Sequence, residues 1–337
     1  MSWLALDIGG ANLKLADGKG FAVSSVFPLW QKPRQLAEAL RALIAGAPRA
    51  DHLAATMSGE LADCFATKVE GVRSIVNSFV TASDGRHSRI YLNNGMLVAP
   101  PIALQQPLMA AAANWHALAR FAGRYVPNGT GLLIDIGSTT CDIIPLADGK
   151  PAATALTDPE RLIASELVYT GVERSPVCAL VNSLPWRKQQ CPTAHELFST
   201  TWDAYLMLGD LPEEPNSTHT ADGRPATKAA AHDRLARSIC ADREMFDEGD
   251  ALAAAEAIAR SQLAKIAVAI GQVLGRLPAP PTGIVISGSG EFVARRALER
   301  MRVATTIISL SAELGPSLSR CATAHALAVI ARENESP

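Results

Sequence analysis

WLALDIGGANLKLADGKG at residues 3–20 and LLIDIGSTTCDIIPLADGKP at residues 132–151 are two versions of one pattern. Each opens with an apolar run that ends in Asp-Ile-Gly, passes through small polar residues, runs on as a second strand and closes on Ala-Asp-Gly-Lys (16–19 and 147–150). Asp-Gly between strand-like runs is a strong hairpin cue, because glycine takes positive φ without steric cost. The repeat therefore predicts two units built on one plan, each starting with a β-hairpin.

Outward from the first hairpin, helix and strand alternate. Pro33 suits a first helical turn, and Leu36, Leu40, Leu43 and Ile44 follow at helical spacing. Strands are expected at 52–57 and 89–92, and helices at 61–80 and 107–121. That order implies a mixed sheet with helices packed on it. In the second half, Asp158-Pro159 reads as cap and first residue of a helix. A long helix is expected over 250–277, stopped by Pro-Ala-Pro-Pro at 278–281. A strand (283–286), the turn Ser-Gly-Ser-Gly-Glu (287–291), a helix, a strand (305–310) and a last helix from about 316 follow. Residues 175–225 are rich in Pro, Ser, Thr and Asn and read as an insertion. The division expected is 1–127 and 128–337, the second unit carrying an insertion over 160–245 and a last helix that returns to the first.

The chain has 337 residues, 48% hydrophobic and 19% charged, with a net charge of −2. This balance excludes disorder and carries no electrostatic footprint for nucleic acid. The N-terminus lacks the basic region of a signal peptide, and no apolar stretch of about 18 residues stands out, so neither membrane nor export is expected. Six cysteines without paired spacing read as buried free thiols of a reducing, cytoplasmic compartment. The seven histidines are dispersed, and no metal role is read for them.

A glycine turn after a buried strand presents backbone N–H groups to phosphate oxygens. Gly9, Gly10 and Asn12 on the first turn, Gly137, Ser138, Thr139 and Thr140 on the second, and Gly288 and Gly290 on a third are the phosphate-binding candidates. Asp7 and Asp135, at the ends of the two strands, are candidates to hold Mg²⁺ directly or through its waters. Lys14 is a candidate to neutralise phosphate charge.

DIGGANLK, DIGSTTCD and VISGSGE together resemble the two phosphate loops and the adenosine-side loop of the sugar kinase–chaperone–actin superfamily. The resemblance implies duplicated ribonuclease-H-like α/β domains, with mixed sheets facing a cleft, as in actin-like ATPases. A closer resemblance spans nearly the whole chain. TMSGELADCF with KVEGV (56–72), NWHALA (114–119), DIGSTTCDIIP (135–145), RLIASELVYTGVERSPV (161–177), TADGRPA (220–226) and HDRLARSICAD (232–242) are similar to the hydantoinase/oxoprolinase-like proteins of methanofuran biosynthesis, linked to tetrahydromethanopterin one-carbon metabolism. This resemblance implies an alkyl transfer. The phenol of γ-glutamyltyramine, or a related tyrosine-derived acceptor, attacks an aminomethylfuran-methyl diphosphate, forming an aryl ether and releasing diphosphate. Under it Asp7 and Asp135 position Mg²⁺, and Lys14 with the glycine turns grips diphosphate.

A phenol of pKa about 10 needs a base near neutral pH, and Glu60 or Glu166 is the candidate. Arg161 and Tyr169 are candidates for substrate contact. The partners expected are small molecules, with no nucleic acid and no membrane, and homo-oligomerisation is left open. An ATP-dependent small-molecule kinase is a second reading, with ATP/ADP as cofactor and Asp135 as base. A non-enzymatic actin- or chaperone-like nucleotide switch is a third.

Overall fold

A computed structural model describes residues 2–334. The first half forms six strands: β1 (Trp3–Ile8), β2 (Asn12–Ala16), β3 (Ala22–Val26), β4 (His52–Met57), β5 (His87–Tyr91) and β6 (Leu97–Val98). They lie in the order β3-β2-β1-β4-β5-β6. Every residue of β1 is buried, as a strand covered on both faces requires. Its side chains alternate between two cores. Leu4, Leu6 and Ile8 pack with Leu36, Leu40 and Ile44 of the helix Leu36–Ala45 and with Ile75, Val76 and Phe79 of the helix Lys68–Ala82. Trp3 and Ala5 face the other way, against Leu327, Ala328 and Ile330.

The second half supplies β7 (Thr130–Ile136), β8 (Cys141–Ala147), β9 (Lys150–Pro151), β10 (Leu167–Val168), the hairpin β11 (Ser183–Trp186) and β12 (Gln189–Pro192), then β13 (Gly283–Ser287) and β14 (Thr306–Ser309). The main sheet runs β10-β8-β7-β13-β14, with β9 paired to β8. In both sheets an antiparallel hairpin is followed by two parallel strands on its first strand's free side. Three meandering strands plus two parallel ones in this order make the ribonuclease-H-like plan, and the chain carries it twice. This is the duplicated actin-like ATPase architecture.

Register extends the duplication to single residues. Asp7 faces Lys14 on one side and Thr56 on the other; Asp135 faces Asp142 and Ser287 at the matching positions. Two helices lie between the sheets. Trp115 and Leu118 of Asn114–Ala122 and Ala326 of Ala322–Glu333 pack on Leu133 and Ile144 of the second sheet. Ala117, Leu327 and Ala328 pack on Trp3 and Ala5 of the first.

Several elements differ from their sequence expectation. The helix placed at 107–121 is broken: Pro107–Ala110 and Asn114–Ala122 are separated by Ala112, whose φ is 46°. The helix expected from 61 starts at Lys68, where the Thr67 side chain accepts the Glu70 N–H. Thr157, not Asp158, caps the helix Asp158–Ile163, in a capping box with Glu160. The insertion has a core of its own, with Leu184, Trp202, Leu206, Leu235 and Phe246 packed on Ala254 and Ile258. Of the six free cysteines only Cys141 and Cys321 are buried. Among the described residues one helix, Glu248–Leu274, is long and apolar enough to cross a membrane by length and composition, which the sequence reading did not anticipate. Its face bearing Ile266, Ile270 and Val273 packs on β7 and β13.

Candidate functional site

The two turns after β1 and β7 have one geometry. The Gly9 N–H donates to the Asn12 carbonyl at 3.0 Å, and the Gly137 N–H to the Thr140 carbonyl at 2.9 Å. Both face a cavity of about 560 Å³, lined by Asn12 and Lys14 of the first unit and by Asp135, Gly137, Ser138 and Gly288 of the second. Three cations line it as well: Lys14, Arg174 and Arg320. Arg174 stacks over Trp30 at 5.0 Å, which ties the second unit to the first across the opening. The outer wall is a strap of the insertion that includes Pro212, Glu214, His219 and Thr220.

The third turn, after β13, is wedged against the second sheet. A side chain at Gly288, where φ is 86°, would run into the Ile136 carbonyl, and the Gly290 N–H donates to that same carbonyl at 2.8 Å. Gly288 reaches the cavity, whereas Gly290 packs on Ile136 and Val172. Gly10 is different, because nothing lies within 4 Å of where its side chain would project. The glycines of this site thus serve two ends, close packing behind and open approach in front.

Asp7 is buried and its Oδ1 has no hydrogen-bond partner. Burial raises its pKa, with Lys14 opposing and Asp142 adding to the rise. Burial, then Asp142, pushes Asp135 up to about 6, against the pull of Lys14 and of the neighbouring Ser287 hydroxyl. Of these two carboxylates Asp135 lines the cavity, while Asp7, with its unpartnered oxygen, lies behind the lining; both offer the oxygen donors that suit Mg²⁺. No group of three or more His, Cys, Asp or Glu side chains among the described residues is placed to hold a metal by protein ligands alone. A hard cation bound here would draw its remaining ligands from water and phosphate, as Mg²⁺ commonly does.

The other candidates lie elsewhere. Glu60 is 1% exposed with Oε2 unpartnered, and burial pushes it up to about 7, with Asp158 adding and Lys68 opposing. It follows Gly59, whose own backbone presses on Gly9 and Gly10, so it stands behind the first turn and not on the cavity wall. Glu166 is buried beside Arg161, which opposes the upward shift that burial imposes. Arg161 itself is committed: it donates to Asp142 at 2.6 Å and to the Glu166 carbonyl at 3.1 Å, and stacks on Trp115 at 4.3 Å. Tyr169 is exposed and outside the cavity lining. Thr139 and Thr140 belong to the second turn without lining the cavity.

Sequence reasoning missed Glu173, Arg174, Arg320 and Trp30. Glu173 and Arg174 are held on the second turn by their own backbone, both N–H groups donating to the Ser138 carbonyl at 3.0 and 2.9 Å. Gly171 permits this approach, since a side chain there would run into Ser138 and Thr139. The available signal was Gly-Val-Glu-Arg (171–174), a charged pair just after a glycine, inside a segment already singled out.

The family model described as Hydantoinase/oxoprolinase matches residues 51–333. Over 328 residues, 96% of each chain, the sequence is 32% identical to the (4-{4-[2-(gamma-L-glutamylamino)ethyl]phenoxymethyl}furan-2-yl)methanamine synthase of Methanocaldococcus jannaschii. It is 30% identical to the synthase of the same name from Methanococcus vannielii over 201 residues, 59% of this chain and 89% of that one. Among solved structures, an inorganic polyphosphate/ATP-glucomannokinase from Arthrobacter sp. strain KM is similar over 98% of this chain and 99% of its own, at 16% identity and a TM-score of 0.44.

Proposed function

The chain belongs to the hydantoinase/oxoprolinase family, and from that membership we propose that it is an alkyltransferase of methanofuran-type cofactor biosynthesis. It joins an aminomethylfuran-methyl diphosphate to the phenol of γ-glutamyltyramine or a related acceptor, and diphosphate leaves. The relative that matches almost end to end is named for that aryl ether. The observation that carries the reading is the shared cavity, in which both matched turns, Lys14 and two arginines surround one space.

The chemistry asks for little more than charge stabilisation and alignment. An exocyclic carbon on an electron-rich furan tolerates positive charge, so the barrier is shared between the departing diphosphate and the phenol oxygen, which must lose its proton as it bonds to that carbon. Backbone N–H groups of the turns, with Lys14, Arg174 and Arg320, stabilise that charge as the C–O bond lengthens. Asp7 and Asp135 would hold Mg²⁺, which would supply further neutralisation of the diphosphate oxygens. Trp30 and Trp202 offer flat apolar surface to the furan and phenol rings. Reaction and partners are small-molecule throughout.

Purified protein with Mg²⁺, the furan diphosphate and γ-glutamyltyramine tests the reading, beside a second mixture holding ATP and the same tyramine. Diphosphate release that needs both organic substrates, with an ether product of matching mass, is expected. ATP consumption that phosphorylates the tyramine, with no ether in the first mixture, would replace this reading by the kinase one.

A further inference from the structure

We propose that Glu173 is the base that removes the acceptor's phenolic proton, an assignment that rests on the alkyl transfer proposed above. Three observations carry it. Glu173 lines the cavity, whereas Glu60 and Glu166 lie outside the lining and are 1% and 2% exposed. Its backbone is fixed to the second turn by the bond to Ser138, so the residue is held at the turn that the diphosphate would approach. And it has no arginine or lysine within ion-pair distance among the described residues, although the cavity holds three such cations. A carboxylate left unpaired in a cavity is free to take up a proton.

The groups that face it are Glu214 from the strap, Lys14 from β2, Arg320 from the helix Pro316–Arg320 and its neighbour Arg174. Burial and Glu214 raise its pKa, and the three cations oppose the rise. That direction makes it a stronger base than an exposed carboxylate. In the step itself the phenol O–H bond breaks and its proton goes to the Glu173 carboxylate. The oxygen's electron pair forms the bond to the exocyclic furan carbon. The bond from that carbon to the diphosphate oxygen breaks, and its pair leaves on diphosphate.

The test compares wild type, Glu173→Gln and Glu173→Asp with γ-glutamyltyramine and with a ring-fluorinated acceptor whose phenol is more acidic. Glu173→Gln is expected to lower kcat by about 100- to 10,000-fold with the ordinary phenol, the range for a lost general base. The loss should shrink by at least tenfold with the fluorinated acceptor, and the acidic limb of the pH–rate profile should disappear. Glu173→Asp, with a carboxylate on a shorter arm, should keep an acidic limb. Wild-type turnover in Glu173→Gln would overturn the assignment, and so would a loss equal for both acceptors, which would mark a structural role. Transfer of the same losses to Glu60→Gln or Glu166→Gln, with Glu173→Gln unaffected, would move the base there. If the wild type makes no ether with either acceptor, the alkyl-transfer reading falls first and the base with it.

Discussion

Asp7 and Asp135 hold the same register position in two sheets, yet their cross-strand neighbours carry opposite charge, Lys14 in one and Asp142 in the other. Asp142 is neutralised from outside the sheet by Arg161, which is itself buried on Trp115. The duplication therefore keeps two carboxylates under the turns while making one side of the cleft cationic. Asp7→Ala and Asp135→Ala are each expected to cut kcat by about 100-fold or more, the scale of a lost electrostatic group at a transition state. Near-ultraviolet circular dichroism should stay unchanged, and full activity in both would rule out their metal role. Glu60 gives a different prediction. Its folded pKa of about 7 lies above the ordinary value of 4.5. The native state thus binds the extra proton, and stability is fully present below about 4.5 and is lost as pH rises towards 7. Glu60→Gln should remove that loss, gaining on the order of 3 kcal/mol on wild type between pH 4.5 and 8 in urea titrations. A constant difference between the two proteins across that range would refute it.

The strap over the cavity is a loop, but its anchorage is buried. Arg234 donates to Asp203 at 2.7 Å and to Asp222 at 3.1 Å, and Asp222 also takes two bonds from Arg224, one from its backbone N–H and one from its side chain. Thr220 and Ala221, which line the cavity, sit just before that knot. Replacing Arg234 by Met leaves Asp203 buried and unpaired, so a loss of about 3–5 kcal/mol is expected. A looser strap should also raise KM for the acceptor more than it lowers kcat, as read from initial rates. The elements explain how far the sequence could be read. The turns after β1 and β7 were visible because hairpin, glycines and acid recur at fixed spacing, and β4 was visible as a bounded apolar run. The break at Ala112 was hidden in an alanine-rich run that propensity reads as continuous helix. Glu173 and Arg174 were hidden because their value comes from a backbone contact with a turn more than thirty residues earlier. Glu60 was read as a candidate base beside the first turn, and its burial outside the cavity lining is a matter of packing that its neighbours in sequence do not reveal.

On the scale of the whole molecule, side chains bridge the two units beside the cleft. Lys68 reaches Asp158 at 2.6 Å, and Arg174 lies over Trp30. A ligand that grips both turns would add another. Saturating diphosphate with Mg²⁺ should therefore raise the melting temperature, by the equivalent of about 2.7 kcal/mol at a hundred times Kd. Lys14→Met should lose most of that shift while melting like wild type without ligand, and an unshifted wild type would count against diphosphate binding at the turns. The helix Ala322–Glu333 ties the two sheets more firmly, since Leu327, Ala328 and Ile330 cover Trp3 and Ala5 of the first strand. Gly18 presses on the backbone of Ala328 and Val329 from the hairpin that follows. On the ribosome, the first sheet must wait with part of one apolar face uncovered until more than two hundred further residues have been made. An apolar face uncovered for that long is open to wrong contacts, so slower or faster translation is expected to change how much of this protein reaches its native state, as read from the soluble yield.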